Sequence, residues 1–229
     1  MSLFPSKDVS VADWLVKCLF PFNAHLAGSV VPPGYEAYAR ILHPALSGSA
    51  RVTWAEIAAW AGRVYHPAMQ FESIATPVDS DATGPPPWDG QCPYRLPADR
   101  AIALADILRS FTGVADRVWY LVWEGYGGLP RRRGPRVQTP CRGYFLYRGE
   151  LAVKEEDFRI GQYHDRAPEY WFPEDRSWCV GSDVDLFWTY VGGSRSCVQA
   201  ILESPELESV PAELGHGLTV DSDRINRLS

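Results

Sequence analysis

The sequence predicts an α+β fold, with a mainly antiparallel sheet in the C-terminal half packed against helices from the N-terminal half. Helical periodicity dominates the first half, runs of β-formers dominate the second, and one further helical pattern follows those runs. Strands alternating strictly with helices would instead announce a doubly wound sheet. Residues 1–229 read as a single domain of this class. The proline- and glycine-rich stretch 76–97 either divides two subdomains or forms a long loop. Trp88 and Tyr94 within it favour a loop packed onto the body, because large rings are costly to leave in water.

Each element has its own warrant. Over 8–19, Asp8 or Ser10 can cap a helix whose apolar face is Val11, Leu15, Val16 and Leu19, and Pro21 stops it. Residues 35–42 alternate, placing Tyr35, Ala37, Ala39 and Ile41 on one strand face; a short helix is the alternative, and His43-Pro44 ends either one. Thr53 and Glu56 form a capping box for a helix with Ile57, Trp60 and Ala61 on one face and Gly62 at its end. The strongest helix is 97–111, opened by Pro97, built on Ala101, Leu104, Ala105 and Leu108, and closed by Gly113. Strands follow at 117–123, 143–148, 178–185 and 187–191. Ser194 caps a last helix built on Cys197, Val198, Ile201 and Leu202.

Composition restricts the function classes. There are 22 basic and 28 acidic residues, a net charge of −6, which argues against a chain-wide nucleic-acid footprint. The five cysteines are odd in number and lack a CxxC pair, so no zinc or dithiol motif is present. No apolar run approaches the 18 or so residues of a membrane span. Asp8 and Asp13 stand where a signal peptide would be basic. The expectation is a cytoplasmic protein with free thiols, no membrane association and no cofactor. The sequence does not specify its oligomeric state.

Two aromatic blocks carry the main functional expectation. One runs Trp119-Tyr120-Leu121-Val122-Trp123 into Tyr126 and a glycine pair. The other runs Phe187-Trp188-Thr189-Tyr190 into Gly192-Gly193-Ser194. If the blocks converge, Trp119, Trp123, Tyr126, Trp188 and Tyr190 line a recognition hollow, since such rings are enriched at binding hot spots. Arg131, Arg132 and Arg133 would stand at its rim and could grip an acidic partner or a phosphate backbone; the alternative is a solvated loop. Ser194, opening a helix behind two glycines, could help hold an anion or serve only as a cap.

The remaining candidates are polar. Asp183 and Asp185 fall on one face of a strand, roughly 7 Å apart, where a carboxylate pair could hold a metal or divide acid and base roles. A solvated face or a turn cap is the alternative. The His43-Pro44 and His66-Pro67 steps could bring two imidazoles together, or could each bond locally in a turn.

His43-Pro44, 54–60, and above all Asp183-Val184-Asp185 through Tyr190-Val191-Gly192-Gly193-Ser194 resemble a set of proteins from high-GC bacteria to which no activity is assigned. Pro33-Gly34-Tyr35 is also similar to an entry motif of SMI1/KNR4-type immunity domains, although the asparagine-glycine that follows in those domains is missing. That likeness implies a mixed helix–sheet fold and a role in interaction. The sequence thus points to a non-catalytic binding protein with an aromatic-lined site and a protein or small-molecule partner. The alternative is a metal-assisted hydrolase or phosphoryl-transfer enzyme using Asp183 and Asp185, with a histidine as base. Single-stranded nucleic-acid binding through the rings and arginines is a third, weaker reading.

Overall fold

The computed structural model describes residues 3–79, 84–89, 95–113, 117–127, 129, 135–158 and 167–228. In chain order the first half supplies β1 (Phe4–Pro5), α1 (Asp13–Cys18), β2 (Ala37–Leu42), the hairpin β3 (Ala45–Ser47) and β4 (Ala50–Val52), α2 (Trp54–Trp60), α3 (Phe71–Ile74) and α4 (Ala98–Arg109). The second half supplies β5 (Val118–Trp123), β6 (Val137–Gln138), β7 (Gly143–Gly149), β8 (Tyr170–Pro173), β9 (Cys179–Ser182), β10 (Trp188–Gly193), α5 (Arg195–Leu202) and β11 (Ser209–Pro211). The class is α+β, as the sequence predicts.

Among the described residues, nine strands form one sheet in the order β1–β7–β5–β8–β9–β10–β2–β11, with β6 also pairing β7. Every ladder is antiparallel. Two features extend the expected arrangement. β2 comes from the N-terminal half yet lies inside the sheet, between β10 and β11. Its alternation explains this: Ala39 and Ile41 enter the core on one face, and Arg40 and Leu42 are buried on the other. The second is α5, which joins α4 on one face of the sheet, so that layer draws on both halves of the chain.

Under α4 and α5 lies the largest core cluster, including Leu104, Leu108, Val122, Trp171, Val180, Val191 and Ile201. Burying a leucine contributes about 1.5–3 kcal/mol, so Leu104 and Leu108, both 0% exposed, hold α4 down more firmly than helix propensity does. The opposite face is covered in two parts. α1 and its flanks lie over β5, β7 and β8, through Leu15, Leu121, Leu146 and Phe172. α2, α3 and residues 27–31 lie over β2 and β10, through Trp54, Met69, Trp188 and Tyr190. Gly181 of β9 permits the close approach of this cover, because a Cβ there would run into the Val30 carbonyl oxygen.

Local chemistry matches the sequence at several ends. Thr53 and Glu56 make the reciprocal capping box, and Gly62 follows α2 with φ +67°. The first helix splits: a 3₁₀ turn at Ser10–Ala12, with Asp8 Oδ1 accepting from the Ser10 N–H at 2.9 Å, precedes α1. In the stretch 76–97, Trp88 is buried with its ring edge-on to Trp60 at 5.1 Å. No helix among the described residues is long and apolar enough to cross a membrane.

Candidate functional site

Trp119, Trp123, Trp188 and Tyr190 point from one face of the sheet, but the two aromatic blocks do not converge. Direct cross-strand partners share a face, and Leu121, Tyr170, Gly181, Tyr190 and Arg40 are successive partners across β5, β8, β9, β10 and β2. Trp119 and Trp123 flank Leu121, and Trp188 lies one alternation from Tyr190, so all of these rings point the same way. β5 and β10 are nevertheless separated by β8 and β9, about 14 Å at strand spacing. The two parts of the cover then bury different rings.

Trp188 (2% exposed) and Tyr190 (0%) are interior, so they line no open hollow. Trp188 packs edge-on against Trp54 at 6.2 Å. The Arg40 guanidinium lies over its ring at 3.9 Å and donates to the carbonyls of Met69 (2.7 Å) and Pro67 (3.2 Å). Trp119 is half-buried against the α1 side of the core, with Arg148 over its ring at 5.8 Å.

Trp123 and Tyr126, by contrast, meet Asp183 and Asp185 at one end of the sheet. Trp123 ends β5, Tyr126 sits in the following turn, Glu169 precedes β8, and Asp183 follows β9. Antiparallel pairing brings these termini together. The half-buried Trp123 ring is edge-on to Tyr126 at 5.1 Å and carries the Arg142 guanidinium at 5.1 Å. Arg142 Nε and Nη2 donate to the two oxygens of Asp183, both at 2.9 Å, and Nη2 also reaches Asp185. Burial alone would lower the Arg142 pKa. The hydrogen bonds and charges of the two aspartates more than reverse this, holding it above the ordinary arginine value.

This geometry corrects the metal expectation. β9 stops at Ser182, and Asp183 caps a turn by accepting from the Asp185 N–H at 3.1 Å, so the two residues are not on one strand face. Both carboxylates are already engaged by one cation, Arg142. Among the described residues no group of three or more His, Cys, Asp or Glu could hold a metal ion.

A second polar chain lies behind Trp123. Arg95 Nε donates to the Tyr126 hydroxyl at 3.1 Å, and that hydroxyl donates to Glu169 Oε1. Glu169 Oε2 accepts from the Trp123 N–H at 2.8 Å. Burial pushes the Glu169 carboxyl up to about 7, against the lowering effect of these donors. The interior here is closed: the void bounded by Arg95, Glu169, Trp171, Ser182, Asp183 and Thr189 leaves no room for a water molecule.

Other sequence candidates separate. Ser194 Oγ accepts from the Cys197 N–H at 3.2 Å, and the first helical N–H, that of Arg195, goes to Glu36 Oε2 at 3.1 Å. The α5 terminus is therefore capped by the protein's own groups, which replaces the anion-holding expectation. His43 Nε2 bonds Thr189 Oγ1 at 2.9 Å and His66 Nε2 bonds Asp223 Oδ1 at 3.0 Å, so the imidazoles have separate partners. Arg131, Arg132 and Arg133 lie outside the described residues. Sequence reasoning missed Arg142 and Glu169. Glu169 carried a signal, because it heads the aromatic run Tyr170-Trp171-Phe172, which forms β8. Arg142, a lone cation entering β7, carried none.

No family model, curated protein or solved structure matches this chain.

Proposed function

We propose that this chain is a non-catalytic binding protein whose site is the sheet end around Trp123, backed by the buried Tyr126. The observation that carries the proposal is the setting of Trp123. Its ring is part-exposed, fixed by Arg142 and Tyr126, and neighboured by charged side chains, with Asp185 77% exposed. A rigid aromatic side chain at the centre and a charged, solvated rim is the anatomy of a binding hot spot. Trp123 pinned in this way loses little rotamer freedom when a ligand stacks on it. The expectation that Trp188 and Tyr190 join the same site is dropped, because both are interior.

The test is a thermal-shift screen of metals, nucleotides, sugars and short peptides on the wild type and on Trp123→Ala. A ligand at a hundredfold excess over its Kd stabilises the wild type by about 2.7 kcal/mol and leaves the variant's melting temperature unmoved. A shift retained in the variant, or no shift from any of these classes, overturns the proposal.

A further inference from the structure

Beneath α2 and α3 the interior holds a cation with no carboxylate in contact among the described residues. Arg40 of β2 is 1% exposed, and its guanidinium lies 3.9 Å from the Trp188 ring centroid and 5.4 Å from that of Trp54. Its Nη1 donates to the Met69 and Pro67 carbonyls, which carry no net charge. Its Nε and Nη2 are buried and meet no acceptor among the described residues. The Tyr190 hydroxyl and Trp188 Nε1 are likewise buried without a hydrogen-bond partner. These groups share one place. Arg40 and Tyr190 are direct cross-strand partners. The Leu42 N–H turns to Glu208 and the His43 N–H to Phe187, so the Arg40 amide faces β11. Arg40 and Tyr190 therefore make the closer, non-hydrogen-bonded kind of pair, with Trp188 one alternation away on the same face. Burial raises the Tyr190 pKa, and the Arg40 charge and the neighbouring Trp188 indole oppose that rise.

The acidic groups within electrostatic reach leave this charge largely uncompensated. Burial lowers the Arg40 pKa, and Tyr190, Tyr65, Asp223 and Glu72 act against that from a distance. Both tyrosines are kept protonated by burial. Glu72 is exposed, so water and salt screen it. Asp223 is buried, but its oxygens already accept from His66, from the Asn226 side chain and from the N–H groups of Gln70, Ile225 and Asn226. An arginine does not escape the cost of burial by releasing its proton. A buried charge is retained where it is paired and hydrogen-bonded. A water molecule would take the hydrogen bonds and leave the charge.

We infer that Arg40 Nε and Nη2, with the Tyr190 hydroxyl and the Trp188 indole N–H, hold a small monovalent anion of the halide class inside the protein. The set is made of donors: guanidinium and indole N–H groups, and a hydroxyl free to turn its hydrogen inward. The surroundings set the size of the ion. Trp54, Met69, Trp188 and Tyr190 are each at most 2% exposed, so whatever binds here sheds its water. A doubly charged phosphate or sulfate resists that dehydration far more than chloride, whose charge is single. The ion is structural. Arg40 grips the carbonyls of Pro67 and Met69, just ahead of α3, so neutralising its guanidinium fastens this cover onto β2 and β10. The site is independent of the sheet end around Trp123.

The experiment follows the melting temperature of the whole chain at fixed ionic strength while chloride or bromide replaces gluconate. Crystals grown in bromide are then measured at the bromine absorption edge. Expected is a saturable rise of about 5–10 °C at a hundredfold excess of halide over its Kd. An anomalous peak is expected within hydrogen-bond reach of Arg40 Nε and Nη2. Arg40→Met abolishes the rise. Tyr190→Phe keeps the ring, and so decides the matter if Arg40→Met does not fold; it raises the half-saturating chloride concentration roughly fivefold. Trp123→Ala keeps the whole response, which separates this result from the sheet-end proposal. A rise that never saturates, or one that survives unchanged in Tyr190→Phe, overturns the inference. So does water in place of bromide at Arg40. A bromide peak there without the matching rise marks an adventitious ion only, and overturns it too.

Discussion

Trp123 and Trp188 point from the same face of the sheet, and each carries a guanidinium on its ring, yet they end in opposite environments. Arg40 over Trp188 is 1% exposed and hydrogen-bonds backbone carbonyls. Arg142 over Trp123 reaches two carboxylates, and the second of them is largely in water. The difference is one of position. β10 lies between β9 and β2, beneath α2 and α3, and buries both faces, whereas Trp123 stands where β5 runs out and its cover ends. An arginine–tryptophan contact is therefore a packing device in one place and part of a solvated rim in the other, and the strand's place in the sheet decides which.

The most direct way to break this comparison is truncation of each ring. Trp188→Ala is expected to cost about 3–5 kcal/mol, because it opens a cavity among Trp54, Arg40 and Tyr190. Trp123→Ala is expected to cost about 1 kcal/mol, as its ring is already part-solvated. Equal losses in urea unfolding would show that the sheet end is as deeply packed as the centre.

A smaller effect sharpens how dry the sheet end is. The Glu169 carboxyl sits near 7 in the folded chain against an ordinary 4.5. The folded state therefore binds that proton more tightly than the unfolded state. Its stabilising contribution is complete below about 4.5 and is lost as pH rises through 7. Between pH 5 and 8 the wild type is expected to lose about 2–3 kcal/mol relative to Glu169→Gln, at about 1.4 kcal/mol per pH unit. A pH-independent difference between the two unfolding free energies would mean that water reaches Glu169.

The smallest effect separates the two aspartates. Asp185→Asn is expected to cost under about 1 kcal/mol, as for exposed ion pairs generally. Asp183→Asn costs more, since its side chain is 9% exposed and holds both arms of Arg142. Matching losses from the two variants would place Asp185 inside the network rather than at its edge.

Much of the fold was legible because its signals are local. The Thr53–Glu56 capping box, the Ala101–Leu104–Ala105–Leu108 repeat of α4 and the Ser194 cap each depend on residues within a turn or two. β1, β3, β4, β6, β8 and β11 carry no periodic signal because they span only two to four residues, and the strand expected over 178–185 is shorter because Asp183 ends it by capping a turn. Of the candidate site, Trp123, Tyr126, Asp183 and Asp185 were picked out as separate features. The groups that unite them, Arg142 and Glu169, come from other strand ends that only antiparallel pairing makes neighbours.

Local chemistry thus determined the class of the protein, its longer helices with their caps, five of its strands, and which side chains could do chemistry. Tertiary structure alone decided which rings are core and which reach solvent. It also decided that the aspartate pair belongs to an arginine. Burial is a property of what lies above a side chain, and in this sheet the covering elements come from distant parts of the chain.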